Sequence, residues 1–494
     1  MEGNTEKRGC KDGKYGSMIV NYLRKRIPIL VWLPKYRWKD NVLLDVIAGV
    51  TLMFINVPQG LAFSILANVD LMYGLYTCCF GAFIYSVLGT AHISSFGAVA
   101  VGSILTGEAV SKVTNTSFTT SEITTTLTFL VGIWYFIGFI LRLGVITILF
   151  RKPFVSGFIA SCALHILVKS IKMLFGIRAA NANGLLSFFY NCYSIVEHYQ
   201  MINYPTVIMS ATVLAILILN LAYFRHILAK YTKFILPIEA VVMMAATLIS
   251  YLFNFESLGI PVVGEVPTGL PVPHFPEMSL ISEVWASSLT VAIITYATSA
   301  TMTLLFNKSI DTDQELFALA ATNLICCNLQ CIPIANSMMR TMVAVNLEVK
   351  SLLSTIISSF LLFFIILYGG PLFYPLPNSV LGCIIVVSAG QLIIQRIKDV
   401  KAIWKSSLEN GFIWLASLSA GLIADLQMSM LVGAVLTLRQ IMFEVADKEK
   451  LDKLKKLEQE NVENGKLEFS EPETDKLLEN NKQHQPVIVT NKVG

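Results

Sequence analysis

A chain of 494 residues that is 54% hydrophobic and only 14% charged, with a mean hydropathy of +0.64, carries about half the charge density of an ordinary soluble domain. Its formal net charge of +4 is too small to build a nucleic-acid surface. These values exclude a water-soluble globular fold and place the chain in lipid as an all-α polytopic membrane protein.

Residues 1–42 form a basic head, with ten Lys or Arg against four acids up to Asp40. The positive-inside rule predicts a cytoplasmic N-terminus. No apolar stretch with a small-residue cleavage site opens the chain, so the first span is expected to direct insertion itself. Trp32 to Lys39 interleaves aromatic and cationic side chains, a composition suited to the headgroup layer.

Apolar runs follow from about Leu43 to about Met442, the domain being drawn over 43–446, enough for about twelve to fourteen crossings. The first is expected to be interrupted at Val57-Pro58-Gln59-Gly60, where a proline and a glycine punctuate apolar sequence. A second covers Tyr73 to Leu88, and a short third opens after His92-Ile93-Ser94-Ser95-Phe96-Gly97 and fades by Gly107. The polar run 111–124 contains the sequon Asn115-Thr116-Ser117. Three crossings from a cytoplasmic start put this loop outside, where glycosylation requires it. Further spans are predicted near 125–149, 154–175, 205–224 and 234–253.

The Pro/Gly-punctuated stretch from Pro261 to Pro271 divides the membrane region into near-equal halves. The second half repeats the pattern with spans near 283–306 and 315–330, a short one at Cys331 to Ser337, and others near 351–368, 379–394, 411–425 and 428–443. Residues 447–494 read as a cytoplasmic charged tail in which Leu451, Leu454 and Leu457 mark one short amphipathic helix before disordered polar sequence.

Unsatisfied backbone groups are costly in hydrocarbon, so short or broken spans mark a cavity. Short spans at matching positions of two halves are the signature of inverted repeats whose half-helix N-termini face each other. The third span, opening near Ser94 to Ala98, and its counterpart, opening near Asn336 to Arg340, fit that description. Each N-terminus offers free N–H groups and about half a positive charge, so two converging ends favour an anion. Within the second lies Ser337-Met338-Met339-Arg340-Thr341, and an intramembrane Arg is a functional candidate by default. The alternative is that Arg340 snorkels to an interface or pairs with an acid. Gln59 and Phe63, one helical turn apart, suit one wall of a site; a proline kink beside a core aromatic is the competing reading.

Of the nine cysteines most lie in apolar spans, and Cys326, Cys327 and Cys331 have no His or acid at ligand spacing, so neither a metal nor a disulfide framework is predicted. His165 reads as a core histidine, and Glu239, after Pro237, as a helix-start or structurally paired acid; neither enters the site. The span Glu283 to Phe306 has no acid after Glu283. With no nucleophile-base pair, ligand set or phosphate loop, no enzyme and no cofactor are expected.

The runs Val57 to Phe63 with Tyr73-Gly74-Leu75-Tyr76, His92-Ile93-Ser94, Asp311 to Leu319 with Asn323, and Ser337 to Thr341 resemble the signatures of the sulfate permease (SulP) anion transporter family, over about residues 27–445. The resemblance implies fourteen segments as two inverted sevens, core and gate domains with elevator-type movement, and short β-like stretches before half-helices three and ten. It carries site positions onto Gln59, Phe63, Ala98, Met339 and Arg340, with Pro58, Gly60, Gly97 and Ser337 at the helix breaks. Met339 and Ala98 depart from many animal members and imply a roomier, more apolar pocket. The eighth-segment acid of bacterial members falls near Ala297 or Thr298, which favours exchange or facilitated flow over proton-coupled uptake and also disfavours a nucleobase carrier. The C-terminal STAS domain of the family is not expected in so short a tail. Expected partners are chloride, bicarbonate and sulfate, with oxalate and iodide as further candidates, the lipid bilayer and a second copy in a homodimer. The expected location is the plasma membrane with both termini cytoplasmic. A voltage-responsive prestin-like motor, an anion channel and a non-transporting scaffold are the alternative functions.

Overall fold

A computed structural model describes residues 24–113, 118–143, 151–177, 179, 182, 184–224, 237–307 and 310–463. The sequon at Asn115 and the end of the tail lie outside the described residues. The elements in chain order are α1 (Trp38–Leu66), α2 (Leu71–Leu88, with a π-helical turn over Thr77–Gly81), β1 (Phe96–Gly97), α3 (Ala100–Lys112), α4 (Thr120–Ile140) and α5 (Lys152–Leu174). There follow α6 (Ser187–Glu197), α7 (Tyr204–Leu219), α8 (Ile238–Phe253), α9 (Ile281–Phe306), α10 (Thr312–Cys326) and β2 (Ala335–Asn336). The last five are α11 (Met338–Asn346), α12 (Leu353–Tyr368), α13 (Asn378–Ser406), α14 (Leu408–Ile423) and α15 (Leu426–Glu463).

Eight helices among the described residues are long and apolar enough to cross a membrane, with α8, α12 and α14 as shorter apolar helices. By contrast α3 has 13 residues and α11 has 9, so at about 1.5 Å per residue neither spans a hydrocarbon core of about 30 Å.

Two compact units are present. The larger contains residues 1–147, 165–184 and 188–390. Its centre is an antiparallel pairing of β1 with β2, Phe96 opposite Asn336 and Gly97 opposite Ala335, which sets the start of α3 against the start of α11. Ala48, Leu52 and Ile55, a stripe at helical spacing on α1, pack with Val343, Ala344 and Leu347 of α11 and with Val349. Ala109 and Val110 of α3 pack with Ile123, Leu127 and Leu130 of α4 and Val284 of α9. At the chain's entry to α1, Asp45 accepts from the Tyr36 hydroxyl (2.7 Å) and from Ser351 Oγ (2.7 Å). Burial and the Asp45 carboxylate push the Tyr36 phenol well above its usual range, which keeps it a donor.

The smaller unit contains residues 148–164, 185–187 and 391–494. In it Arg151 makes a two-pronged contact with Glu444 (2.5 and 2.6 Å), Lys152 pairs with Asp399 (2.7 Å), and Gly433 lies against the Phe154 ring.

The structure departs from the sequence reading in five places, the first being the short span expected at Cys331 to Ser337, which is extended backbone ending in β2 before α11 begins. The expected interruption at Pro58 and Gly60 is absent, because α1 runs unbroken through both. Pro58 forfeits one backbone hydrogen bond, a loss the buried surroundings of Val57 to Leu61 tolerate. The third span continues to Lys112, an eleven-residue helix precedes α7, and the tail helix is a direct continuation of the last span through Glu463.

Gly60 has a different role from the expected break. A Cβ at Gly74 would lie 2.0 Å from the Gly60 carbonyl oxygen, so α1 and α2 cross with their backbones touching. Gly74→Ala is therefore expected to lower thermal stability in detergent by an overpacking cost of about 1–3 kcal/mol or more. Gly390→Ala, inside α13 where a Cβ meets nothing within 4 Å, should not lower the melting temperature and is expected to raise it slightly, since a helical glycine costs about 0.5–1 kcal/mol relative to alanine.

Candidate functional site, a buried arginine between two helix starts

Extended backbone inside a membrane protein needs an acceptor for every N–H and a donor for most carbonyls. In the stretch leading to β2, side chains supply them. The amides of Ile332, Ile334 and Asn336 donate to Thr77 Oγ1 (2.9 Å), Asn323 Oδ1 (3.2 Å) and Ser299 Oγ (2.9 Å). Pro333 falls between them and has no N–H to satisfy. The Cys331 carbonyl accepts from Thr128 Oγ1 (2.9 Å), and the Ser337 amide donates to the Ser95 carbonyl across the strand pair (2.9 Å). Thr341 of α11 locks the two stretches together: its Oγ1 accepts from the Ser95 amide (3.1 Å) and donates to Asn336 Oδ1 (2.7 Å).

The side chain that projects from this frame is Arg340, the largest fully buried side chain among the described residues, at 0% exposure. Its Nη1 donates to the Ala98 carbonyl (2.9 Å) and to Gln59 Oε1 (3.3 Å). No described protein atom accepts from its Nε or Nη2. A guanidinium carries five N–H donors in a planar fork, so one edge of Arg340 faces the site with its hydrogen-bonding capacity unused by the protein. Gly97 makes room for it. Its φ of 152° is open to glycine, and a Cβ there would sit 3.1 Å from Arg340 Nη2 and 3.2 Å from Cys78 Sγ in the π-turn of α2.

Gln59 bridges opposite charges. Its carbonyl oxygen accepts from Arg340, while its Nε2 donates to Glu239 Oε2 (3.2 Å) and approaches the Met339 sulfur (3.2 Å). Glu239, in the first turn of α8, is thus the counter-charge of the site and is itself buried. An isolated charge in a low-dielectric interior costs several kcal/mol, and the Arg340–Gln59–Glu239 relay offsets part of that cost. The sequence reading set Glu239 aside as a structural acid. The signal that marks it is the one used for Arg340, an ionisable residue in an apolar run.

Of the residues named from sequence, Gln59, Ala98, Met339 and Arg340 converge, and Phe63 is buried one turn along α1 from Gln59. Ala98 takes part through its backbone carbonyl, so its small side chain is not what touches the arginine. Ser337 caps the start of α11 without a side-chain capping bond, its carbonyl receiving the Thr341 amide (2.9 Å). Pro58 and Gly60 lie within α1, beside Gln59 rather than at a helix end. A second buried acid, Glu315, serves the frame: it accepts from Tyr85 Oη (2.6 Å), the Thr90 amide (2.8 Å) and Thr90 Oγ1, tying α10 to the end of α2.

Four likenesses to known proteins bear on this site. The model of the sulfate permease family matches residues 42–417. The Homo sapiens anion exchange transporter is 30% identical over 444 residues, covering 85% of this chain and 67% of that protein. Danio rerio prestin is 29% identical over 465 residues, covering 88% of this chain but 61% of prestin. Among solved structures, murine Solute Carrier 26 family member A9 in its inward-facing state superposes with a TM-score of 0.79 at 26% identity, over 86% of this chain and 72% of that one.

The frame is testable apart from transport. Thr341→Val removes the acceptor of the Ser95 amide and strands it in a buried setting, a cost of about 1–3 kcal/mol. A lowered melting temperature in detergent, recovered by Thr341→Ser, is the expected result.

Proposed function

The chain belongs to the sulfate permease family, whose members transport anions, and on that premise we propose that it is a secondary-active carrier of small inorganic anions, working as an exchanger or uniporter. The anion sits between the starts of α3 and α11, on the open edge of the Arg340 fork. The observation that carries this reading is a fully buried guanidinium with two hydrogen-bonding nitrogens that no described protein group accepts from. The partial positive charges of the two helix ends add to its field. Chloride, bicarbonate and sulfate fit, the last two by presenting paired oxygens to the fork. Sodium-sized cations do not, because both helix ends and the arginine repel them. The proposed setting is the plasma membrane with both termini cytoplasmic and a homodimer as the assembly. The part of the chain that carries the helix starts moves relative to the membrane in an elevator-like cycle.

The Met339 sulfur on Gln59 bears on selectivity. Beyond the arginine, the glutamine and the Ala98 carbonyl, the soft Met339 thioether adds little polarity to the site. That favours weakly hydrated anions over strongly hydrated ones.

Arg340→Gln in proteoliposomes, with membrane potential clamped and chloride, sulfate and bicarbonate offered in turn as counter-anions, is the direct test. Loss of hydrogen bonds to a charged group of about 1.5–3 kcal/mol lowers apparent anion affinity roughly ten- to a hundred-fold. Unchanged flux and selectivity sink the site assignment. The likeness to Danio rerio prestin supports a second reading, a voltage-responsive motor or anion channel. In whole-cell recordings the motor gives a bell-shaped nonlinear capacitance without coupled exchange, and the channel gives a current without a counter-anion requirement.

A further inference from the structure

The segment ahead of α1 is fastened to the larger unit at three points. Arg26 lies over the Phe139 ring of α4 (4.5 Å to the centroid) and the Phe317 ring of α10 (5.2 Å), and its Nη1 donates to Gln314 Oε1 (3.0 Å). Gln314 closes the contact through its Nε2, which donates to the Arg26 carbonyl (3.1 Å) and to the Leu88 carbonyl at the end of α2 (3.0 Å). Trp32, the last residue of a single helical turn from Ile29, meets the His92 ring edge-on with 6.4 Å between centroids. The Tyr36 hydroxyl donates to Asp45, a carboxylate that also accepts from Ser351 Oγ and, at 3.4 Å, from the Lys350 amide. His92 leads into β1 and Lys350 follows α11, so the segment touches both arms of the frame that holds Arg340.

The side chains these contacts leave outside are basic and apolar together. Arg24, Lys35, Arg37, Lys39 and Lys350 are exposed, and none of the five pairs with a described carboxylate. Lys25 is committed to Asp311 (3.4 Å). The acids nearest in sequence are the exposed Asp40 and Glu348 and the buried Asp45, which Tyr36 and Ser351 already occupy. Among the cations stand Leu30, Val31 and Trp38, exposed at 53%, 39% and 54%. Water suits the charges but not the apolar side chains, and hydrocarbon the reverse. A headgroup layer takes both. Where that layer is anionic, each Lys or Arg held against it adds roughly a five-fold gain in association.

From this geometry we infer that Arg24 to Lys39 and Lys350 form a docking face for an anionic phospholipid leaflet, and that the Arg26 and Asp45 contacts couple a leaflet bound there to the helix ends that frame Arg340. The occupant is a lipid surface, recognised by net negative charge, because the five cations are spread over a segment and a loop rather than gathered in a pocket. Its place on the cytoplasmic leaflet rests on the proposed topology, but its ability to bind does not.

Spin-labelled lipids are the probe. The purified full-length protein is placed in phosphatidylcholine bilayers, and the motionally restricted fraction of a trace of labelled phosphatidylserine is compared with that of labelled phosphatidylcholine. At low ionic strength the wild type is expected to favour phosphatidylserine several-fold, and the preference to fall toward unity in concentrated salt, which screens exposed charges. Lys35→Gln/Arg37→Gln/Lys39→Gln should lose most of that preference while keeping the wild-type melting temperature in detergent, since these side chains bond to no described carboxylate. Equal restriction of the two labels by the wild type overturns the docking face, as does a preference that the triple variant keeps. Coupling is read in nanodiscs, where replacing half of the phosphatidylcholine by phosphatidylserine is expected to raise the wild-type melting temperature. Arg26→Gln should keep the lipid preference and lose that rise, and Arg26→Lys, which keeps a cation over the two rings, should recover it. A rise that Arg26→Gln retains overturns the coupling. An equal rise on adding ATP to phosphatidylcholine discs makes a soluble polyanion the occupant and overturns the lipid surface. Arg340→Gln leaves this face untouched, so its lipid preference matches the wild type even where the anion-site assignment fails.

Discussion

Hydrocarbon supplies no hydrogen-bond partner, so an amide left without an acceptor at membrane depth costs several kcal/mol. The pairing of Phe96-Gly97 with Ala335-Asn336 exists under that constraint. Two extended strands of two residues each are too short to satisfy their own flanks, and hydroxyl and amide side chains from four other helices finish the task. Thr77, Thr128, Ser299 and Asn323 look like isolated polar residues in greasy helices. Together they are the acceptors and donors that let the chain run extended inside the protein. Because both stretches are held, α3 and α11 begin where they do, and their free N–H ends point to one place.

The second determinant is charge. Arg340 cannot lose its proton, so its burial has to be offset by acceptors and a counter-charge. Ala98 gives a carbonyl and Gln59 an amide oxygen, and Gln59 passes the interaction on to Glu239 through its other end. Close backbone contact makes this reach possible. The touching of Gly60 and Gly74 brings α1 against α2, and Gly97 leaves space that any side chain would fill. The arginine therefore sits in a frame made by glycines and hydroxyls.

Membership of the sulfate permease family fits this arrangement without fixing the cargo. Two of the residues around the fork are apolar or soft. Met339 enters through its sulfur, and Ala98 through backbone alone. The chain spans about two thirds of the length of the relatives compared.

Composition and apolar periodicity determined that the chain is helical and lives in a membrane, because the length and polarity of a span are local properties that lipid reads directly. Sequence also singled out the short third span, its partner before Arg340, and Gln59, since an ionisable or helix-breaking residue in an apolar run is conspicuous without any structure. Local punctuation misled at Pro58 and Gly60, where a continuous helix prevails because packing outweighs one lost hydrogen bond. Tertiary structure alone decided that Glu239, 180 residues from Gln59, is hydrogen-bonded to it, and that Ala98 contributes a carbonyl to Arg340. Those pairings depend on which helix faces which. In a bilayer that is set by backbone approach at small residues and by the satisfaction of polar groups across the protein, and neither leaves a periodic trace in the sequence.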